Sequence, residues 1–232
     1  MTESLKNRLV EWAEKYNDPA YFQCDPIAFP REFVNRGAGI RDIETAAVFA
    51  AHFAWGRREM IVRDCERLFD HMEWKPFDYV NGGDWRDDPV SIHRTIKWSE
   101  TAQICKRLKS IYDRGVGSLA GLSAAEFRTL VFGQKDDPKA PDKKIWLMKR
   151  WLTRNDGKVD LGIWSNAKAS ELVIPLDVHV YSQAVALGLT HRKSKDLGTA
   201  LEITDAFRGI WPDDPVKGDF ALFGYGVTHK NA

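Results

Sequence analysis

An aspartate stands where a helix is predicted to begin. Asp177 follows Pro175 in the string IPLDVHVYSQAVALGL, and the apolar positions after it recur with helical spacing. Its carboxylate can accept backbone N–H hydrogen bonds at the start of that helix, which is the ordinary role of a capping aspartate. The same bonds would keep the carboxylate ionised in a partly buried cleft. Such an anion can stabilise positive charge on a glycosidic carbon that loses its base, or deprotonate an attacking amine or water.

A metal site at the same place is a weaker interpretation. Asp177 and His179 are two residues apart, and at a helix start their side chains would point away from each other. The other histidines show no ligand spacing such as His-x-x-x-His. The three cysteines, Cys24, Cys65 and Cys105, are too widely spaced for a zinc or iron–sulfur site. We therefore expect no metal, no iron–sulfur cluster and no other cofactor.

Helical periodicity dominates the elements that must position this aspartate. Apolar side chains recur at helical spacing in five segments, residues 5–16, 40–55, 100–112, 143–152 and 200–210, and a last helix is predicted after Pro215. A Ser-x-x-Glu capping box begins at Ser123. The segment LVIPL is the best candidate strand, although its proline weakens that prediction. We predict an all-α fold.

The same pattern suggests how the helices are grouped. We predict a single helical unit over residues 1–232 that consists of two lobes. The second lobe is formed by two separate parts of the chain, with the central lobe inserted between them. The central lobe is predicted at residues 40–140, and the second lobe at residues 1–39 plus 141–232.

The composition is that of an ordinary globular protein. The chain has 232 residues, of which 44% are hydrophobic and 29% charged, and its net charge is +1. This balance argues against a strongly basic nucleic-acid coat or an acidic tail, but it is compatible with a local basic patch. The N-terminal segment lacks the continuous apolar stretch of a signal peptide, and AAVFAAHFAW is too short to span a bilayer. We expect a cytoplasmic protein with reduced thiols and no membrane association.

Three segments of the chain carry a resemblance to a known superfamily. IPLDVHVYSQAVALGL is similar to the segment that holds the catalytic aspartate in helix-hairpin-helix DNA glycosylases, the endonuclease III and 8-oxoguanine glycosylase superfamily. RDIETAAVFAAHFAWGRREMIVRDCERL resembles its early helix pair, and DDPVKGDFALFGYGV resembles its final helix. The resemblance implies a DNA-glycosylase-like fold with a cleft between its two lobes, and it implies that Asp177 is catalytic.

The closer resemblance is to an uncharacterised bacterial family. The motifs that carry this resemblance are DPIAFP, AAHFAWGRR, DLGIW, IPLDVHV and DFALFG, and the resemblance covers most of residues 5–228.

The superfamily resemblance also implies a nucleophile. In that superfamily a lysine begins the helix after the hairpin, and KKIWLMKRWL, entered through PKAPD, is the counterpart in this chain. Lys143 therefore takes the position of the nucleophile, with Lys144 as the alternative. The unfavourable dipole at a helix N-terminus would leave more of the amine neutral and able to attack a sugar carbon. No G-x-G hairpin precedes this helix, so the hairpin motif is degenerate, and a solvated lysine pair is the alternative interpretation.

Basic and aromatic residues supply the predicted DNA contacts. Residues 134–158 contain eight Lys or Arg against four Asp, and HRKSK at 191–195 is a second basic stretch. The predicted DNA-binding residues are Arg57, Arg58, Lys139, Lys149, Arg192 and Lys193. The superfamily resemblance predicts that His52 and Trp55 contact the base or wedge into the gap it leaves, and Trp164 is a further candidate for the base pocket. Core packing is the alternative for all three rings.

Two functions follow from these patterns. The first is a DNA repair glycosylase that binds double-stranded DNA containing a damaged base, flips that base and cleaves its N-glycosidic bond. It would also be an AP-lyase if Lys143 forms a Schiff base. The second is a non-catalytic DNA- or RNA-binding protein on the same scaffold. We expect a monomer.

Overall fold

The computed structural model describes residues 1–228, and this part of the chain is mainly helical. The prediction of an all-α fold is confirmed for the secondary structure. The described residues form eleven α-helices: α1 (Glu3–Tyr16), α2 (Ala28–Asn35), α3 (Ile40–Phe53), α4 (Arg58–His71), α5 (Pro76–Gly82), α6 (Trp98–Tyr112), α7 (Ala124–Glu126), α8 (Lys143–Thr153), α9 (Val178–Ala186), α10 (Leu197–Arg208) and α11 (Gly218–Thr228). None of these helices is both long and apolar enough to cross a membrane.

Helix starts follow the capping chemistry of the sequence. Ser123 and Glu126 form the predicted capping box at the start of α7, which then continues as a π-helical turn over Phe127–Val131. The carboxylate of Asp196 accepts a hydrogen bond from the Thr199 N–H at 2.9 Å and caps α10. Local side-chain chemistry therefore accounts for where these helices begin.

The strand prediction for LVIPL is wrong. Val173, Ile174 and Leu176 are buried, but the segment is irregular, because Pro175 has no N–H for a sheet and the Ile174 N–H donates to Thr204 Oγ1 at 3.0 Å. The strands of the described chain are instead β1 (Ser91–His93) and β2 (Ile96–Lys97), which pair antiparallel in one short hairpin.

The described chain divides into two compact units. The terminal unit contains Met1–Phe22 and the described residues from Asp137 onward, and the inserted unit contains Gln23–Asp136. The predicted central lobe began at residue 40, whereas the inserted unit begins at residue 23, because α2 packs against α3.

Small side chains organise the inserted unit around α3. Ala46, Ala47, Ala50 and Ala51 are buried, and nearly every residue of this helix is shielded from solvent. Because alanine leaves room for close approach, α2, α4 and α5 all pack against α3. α3 is therefore the central helix of this unit.

In the terminal unit, α9 packs against α1, α10 and α11 through apolar side chains. Leu9 of α1, Val180 of α9, Ile203 of α10 and Leu222 of α11 belong to one apolar cluster. Gly224 allows α11 to approach α1 closely, because a Cβ atom there would lie 2.2 Å from the Tyr16 ring. The packing of these helices fixes the position of Asp177 at the start of α9.

Candidate active site

Asp177 is the N-cap of α9. Its backbone is extended, and Oδ1 accepts hydrogen bonds from the N–H groups of His179 and Val180, both at 2.8 Å. The residue is half-buried, and Oδ2 accepts no hydrogen bond from residues 1–228. The structure therefore shows the capping role, and this cap occupies only one of the two carboxylate oxygens.

Lys143 is the first residue of α8, and Lys144 is the second. Both side chains are half-buried. The residue before them, Asp142, has φ 42° and ψ 43°, a left-handed conformation that is unfavourable for a residue other than glycine. Its carbonyl oxygen accepts hydrogen bonds from the N–H groups of Ile145 and Trp146. A tight turn therefore leads directly into the lysine pair.

The pKa of one buried carboxyl group is affected by both Lys143 and Asp177. Asp219, near the start of α11, is 5% exposed and forms an ion pair with Arg150 of α8. Burial is the main cause that raises the pKa of Asp219 to about 6, and the Arg150 guanidinium opposes it. The charge of Asp177 raises this pKa further, whereas the charge of Lys143 lowers it. Both predicted catalytic side chains thus act electrostatically on the same carboxyl group.

A buried ion-pair network holds α8 in place. Arg150 Nε lies 3.3 Å from Asp160 Oδ1, and Arg154 Nη1 lies 2.5 Å from Asp160 Oδ2. The other terminal nitrogen of Arg154 contacts Asp156 at 2.9 Å and Asp214 at 2.8 Å. These guanidinium groups pair with the buried carboxylate of Asp160, which compensates for the cost of burying charge, and with Asp156 and Asp214 nearer the surface.

This network was not predicted from the sequence. The one signal for it is the i, i+4 spacing of Arg150 in α8 and Arg154 at the C-cap of that helix, and their partners are dispersed along the chain. Asp219, in particular, is 69 residues from Arg150.

The basic segment 191–195 lies beside α9. Tyr181, one helical turn after Asp177, donates its hydroxyl hydrogen to the carbonyl oxygen of Arg192 at 3.0 Å. The Lys195 ammonium lies 5.0 Å from the Tyr181 ring centroid, and Lys193 is exposed. This part of the surface is therefore positively charged next to the helix that Asp177 caps.

Two of the predicted DNA-binding residues, Lys139 and Arg192, contact the start of α10. The carbonyl oxygen of Lys139, an exposed residue, accepts a hydrogen bond from the Leu197 N–H at 2.8 Å, so that its loop lies beside the start of α10. The Arg192 guanidinium contacts Asp196 at 3.1 Å and Thr199 at 3.1 Å. Arg192 therefore stabilises the basic segment, and part of its charge is neutralised there.

Trp164 and Lys149 pack together in the terminal unit. Trp164 is 3% exposed, and the Lys149 ammonium lies 5.4 Å from its ring centroid. This burial fits the core-packing alternative better than an open base pocket.

The remaining predicted residues belong to the inserted unit. The ring of His52 stacks on Phe132 with their centroids 5.5 Å apart, whereas Trp55 is 40% exposed. Arg57 is exposed at the N-cap of α4, and Arg58 Nη2 lies 3.5 Å from Asp25 Oδ2. His52 thus packs within its unit, and Trp55 and Arg57 are at the surface.

Metal-ligating groups are dispersed in the described chain. No cluster of three or more His, Cys, Asp or Glu side chains among residues 1–228 could hold a metal ion. His179 packs edge-on against Phe223, with ring centroids 6.1 Å apart. His229 lies outside the described residues.

One comparison with known proteins gave a match. The model of a family described as a protein of unknown function, DUF2400, matches residues 25–128 and 123–228. No curated protein and no solved structure matched the chain.

Proposed function

This chain belongs to the DUF2400 family, and we propose that it is a DNA glycosylase that removes a damaged base from double-stranded DNA. One observation carries the proposal. Lys143, at the start of α8, and Asp177, the N-cap of α9, both lie close enough to the buried carboxyl group of Asp219 for their charges to shift its pKa. An amine and a fixed carboxylate in one neighbourhood are the two groups that base excision with a covalent intermediate requires.

Asp177 would stabilise the transition state. When the N-glycosidic bond breaks, its electron pair leaves with the base and C1′ of the deoxyribose becomes positively charged. Two backbone N–H groups hold Oδ1 in place, and Oδ2 can face the developing charge. A prepositioned anion needs no reorganisation during the reaction, so its stabilisation applies mainly to the transition state.

Lys143 would be the nucleophile. Its neutral amine attacks C1′, the new C–N bond forms as the base departs, and the base takes a proton from water. Opening of the sugar ring then gives a Schiff base, from which elimination of the 3′ phosphate would account for AP-lyase activity. The proton that the ammonium group must first lose passes to bulk water before the amine attacks, so that Asp177 stays ionised.

Phosphate binding is proposed for the basic segment. Lys193 and Lys195 lie beside α9, and Lys139 is exposed in the loop that hydrogen-bonds to the start of α10. These side chains would neutralise DNA phosphates near the N-terminus of α9, where Asp177 lies. The proposal includes a DNA-glycosylase-like helical arrangement with a degenerate hairpin, and a protein that acts as a monomer.

Borohydride trapping tests the nucleophile. Duplexes carrying 8-oxoguanine, uracil or an abasic site are incubated with the protein and sodium borohydride, which converts a Schiff base into a stable adduct. We expect an adduct with wild type and with Lys144→Ala, the matched control, and none with Lys143→Ala. Loss of the adduct in Lys144→Ala alone would assign the nucleophile to Lys144.

The same duplexes separate the proposal from a non-catalytic binding protein. If wild type releases no base and forms no adduct with any lesion, while DNA binding survives Asp177→Asn, the glycosylase proposal is wrong and the binding function is favoured.

A further inference from the structure

Helix α6 of the inserted unit carries two adjacent cations at the protein surface. Lys106 is exposed and Arg107 is half-buried, whereas the next residue, Leu108, is fully buried in the core. Neither cationic side chain forms an ion pair or a hydrogen bond with any residue between 1 and 228. Lys109 of the same helix differs, because it pairs with Asp113 at 3.1 Å. The charges of Lys106 and Arg107 are therefore available to a ligand.

A glycine makes room for the Arg107 side chain. Gly133 has φ 61°, and a Cβ atom built there would overlap the guanidinium group of Arg107. The guanidinium group therefore packs directly on the backbone of Gly133, in space that any other side chain would fill. An arginine held in this way has less rotamer freedom to lose when a ligand binds.

The loop on which Arg107 packs is held by its own hydrogen bonds. It follows the π-helical turn over Phe127–Val131, which packs against α6. Arg128 Nε donates to the carbonyl oxygen of Lys135 at 2.7 Å, and the Gln134 N–H donates to the carbonyl oxygen of Arg128 at 2.9 Å. Turns of the π type are rare and are frequent at functional sites.

The acidic residues of α6 do not compensate these cations. Residues 98–115 contain four Lys or Arg and two Asp or Glu. Glu100 closes the capping box at the start of the helix, and Asp113 is the partner of Lys109. The outer surface of α6 is therefore positively charged.

The side chains around the two cations suit a phosphate backbone. A guanidinium group offers a planar fork to phosphate oxygens, and an ammonium group adds a point charge. Gln103 and Ser110 are exposed and lie on the same face of α6 as Arg107, at i−4 and i+3, where they can donate hydrogen bonds to phosphate or sugar oxygens. These side chains are all polar, so the face lacks the apolar centre on which a protein partner would pack.

We propose that Lys106 and Arg107 bind the phosphate backbone of duplex DNA, and that Gly133 positions the guanidinium group for this contact. The inference rests on the proposed action on DNA, but it does not depend on bond cleavage. It gives the inserted unit a phosphate-binding surface whose two cations lie outside the basic stretches predicted from the sequence. Because phosphate contacts do not read the bases, an undamaged duplex should bind to this surface.

The salt dependence of binding to an undamaged duplex tests the two cations. Binding of a labelled, fully paired duplex is measured by fluorescence anisotropy at several salt concentrations. Arg107→Ala and Lys106→Ala should each reduce the slope of log K against log salt by about 0.9, the value for one phosphate contact. Arg107→Lys, which keeps the charge, should retain the wild-type slope. Lys75→Ala, which removes an exposed lysine elsewhere in the inserted unit, is the matched control and should leave the slope unchanged.

Two glycine variants test the position of Arg107. Gly133→Ala keeps both charges but places a methyl group where the guanidinium group lies, so it should weaken duplex binding to about the level of Arg107→Ala. Gly37→Ala is the control, because Gly37 also has a left-handed φ, 67°, but no atom lies within 4 Å of its Cβ position. This variant should bind the duplex as wild type does. Thermal unfolding checks that both variants are folded.

Three results would overturn the inference. The first is an unchanged slope in Arg107→Ala or in Lys106→Ala, and the second is equal duplex affinity for the two glycine variants. The third is tighter binding of a duplex RNA of the same sequence, with a preference that Arg107→Ala removes, because the ligand would then be RNA.

The outcomes also distinguish this inference from the proposed reaction. Base release with unchanged slopes in the two α6 variants would overturn the α6 surface and leave the glycosylase proposal standing. Reduced slopes without base release from any lesion would support the α6 surface and contradict the reaction.

Discussion

Asp219 is a buried carboxyl group whose ionisation depends on folding. Its pKa in the folded protein is about 6, above the ordinary value of 3.8, mainly because burial disfavours the charged form. Between about pH 4 and pH 6 the folded chain therefore holds this proton more tightly than the unfolded chain does. The stability that the protonated group contributes is present below pH 4 and is lost as the pH rises through 6.

Thermal unfolding of Asp219→Asn checks this dependence. We expect wild type to lose stability relative to Asp219→Asn as the pH is raised from 4 to 7, because asparagine does not ionise. Asp205→Asn, which alters an exposed acid paired with Arg208, is the control and should show no comparable trend. Parallel curves for wild type and Asp219→Asn would contradict the assigned pKa shift.

The cap at Asp177 gives a second prediction for a single residue. Asparagine can replace aspartate as an N-cap acceptor, whereas alanine cannot. Asp177→Ala should lower the free energy of unfolding by about 1 kcal/mol, and Asp177→Asn should change it by much less. Urea unfolding monitored by circular dichroism measures both variants. Equal losses in the two variants would show that the hydrogen bonds to His179 and Val180 do not stabilise α9.

Elements with a strong local pattern were predictable from the sequence, and elements with long-range contacts were not. Helix α9 and its cap follow from Pro175, Asp177 and the apolar spacing after them. The hairpin of β1 and β2 was missed because its strands have only three and two residues. The role of Asp219 was missed because its partner Arg150 is 69 residues away in sequence.

The ion pairs of Arg154, at the C-terminal end of helix α8, should make a large contribution to the stability of the protein. Arg154 is buried and has three carboxylate partners, of which Asp160 is buried, and removing the arginine leaves the buried Asp160 carboxylate with Arg150 as its one remaining guanidinium partner. Arg154→Met should lower the free energy of unfolding by about 3–5 kcal/mol. The double variant Arg154→Met/Asp160→Asn, which also neutralises the buried carboxylate, should recover part of the loss. Arg208→Met, in an exposed pair, is the control in urea unfolding, and a similar small effect for both arginines would contradict the proposed role of the network.

For the whole molecule, salt dependence tests the proposed DNA surface. Each phosphate contact that is removed should reduce the slope of log K against log salt by about 0.9 for duplex DNA. Lys193→Ala, in the basic segment beside α9, should therefore reduce the slope by about that amount. Lys217→Ala removes a lysine that is paired with Glu14 in the same unit and lies outside both basic stretches, and it should leave the slope unchanged. An identical slope for wild type and Lys193→Ala would exclude this segment as a phosphate contact.

At the same scale, helix content was predictable but the unit boundaries were less so. Periodicity identifies helices, whereas the position of residues 23–39 depends on the packing of α2 against α3. The proposed catalytic roles of Asp177 and Lys143 come from a resemblance and remain predictions.

Base release by Asp177→Asn under single-turnover conditions tests the central claim most directly. The variant keeps the cap and removes the negative charge, so we predict a normal fold and a loss of at least about 100-fold in the rate of base release from the preferred lesion duplex. A folded Asp177→Asn protein that releases the base at the wild-type rate would contradict the proposed role of the Asp177 carboxylate.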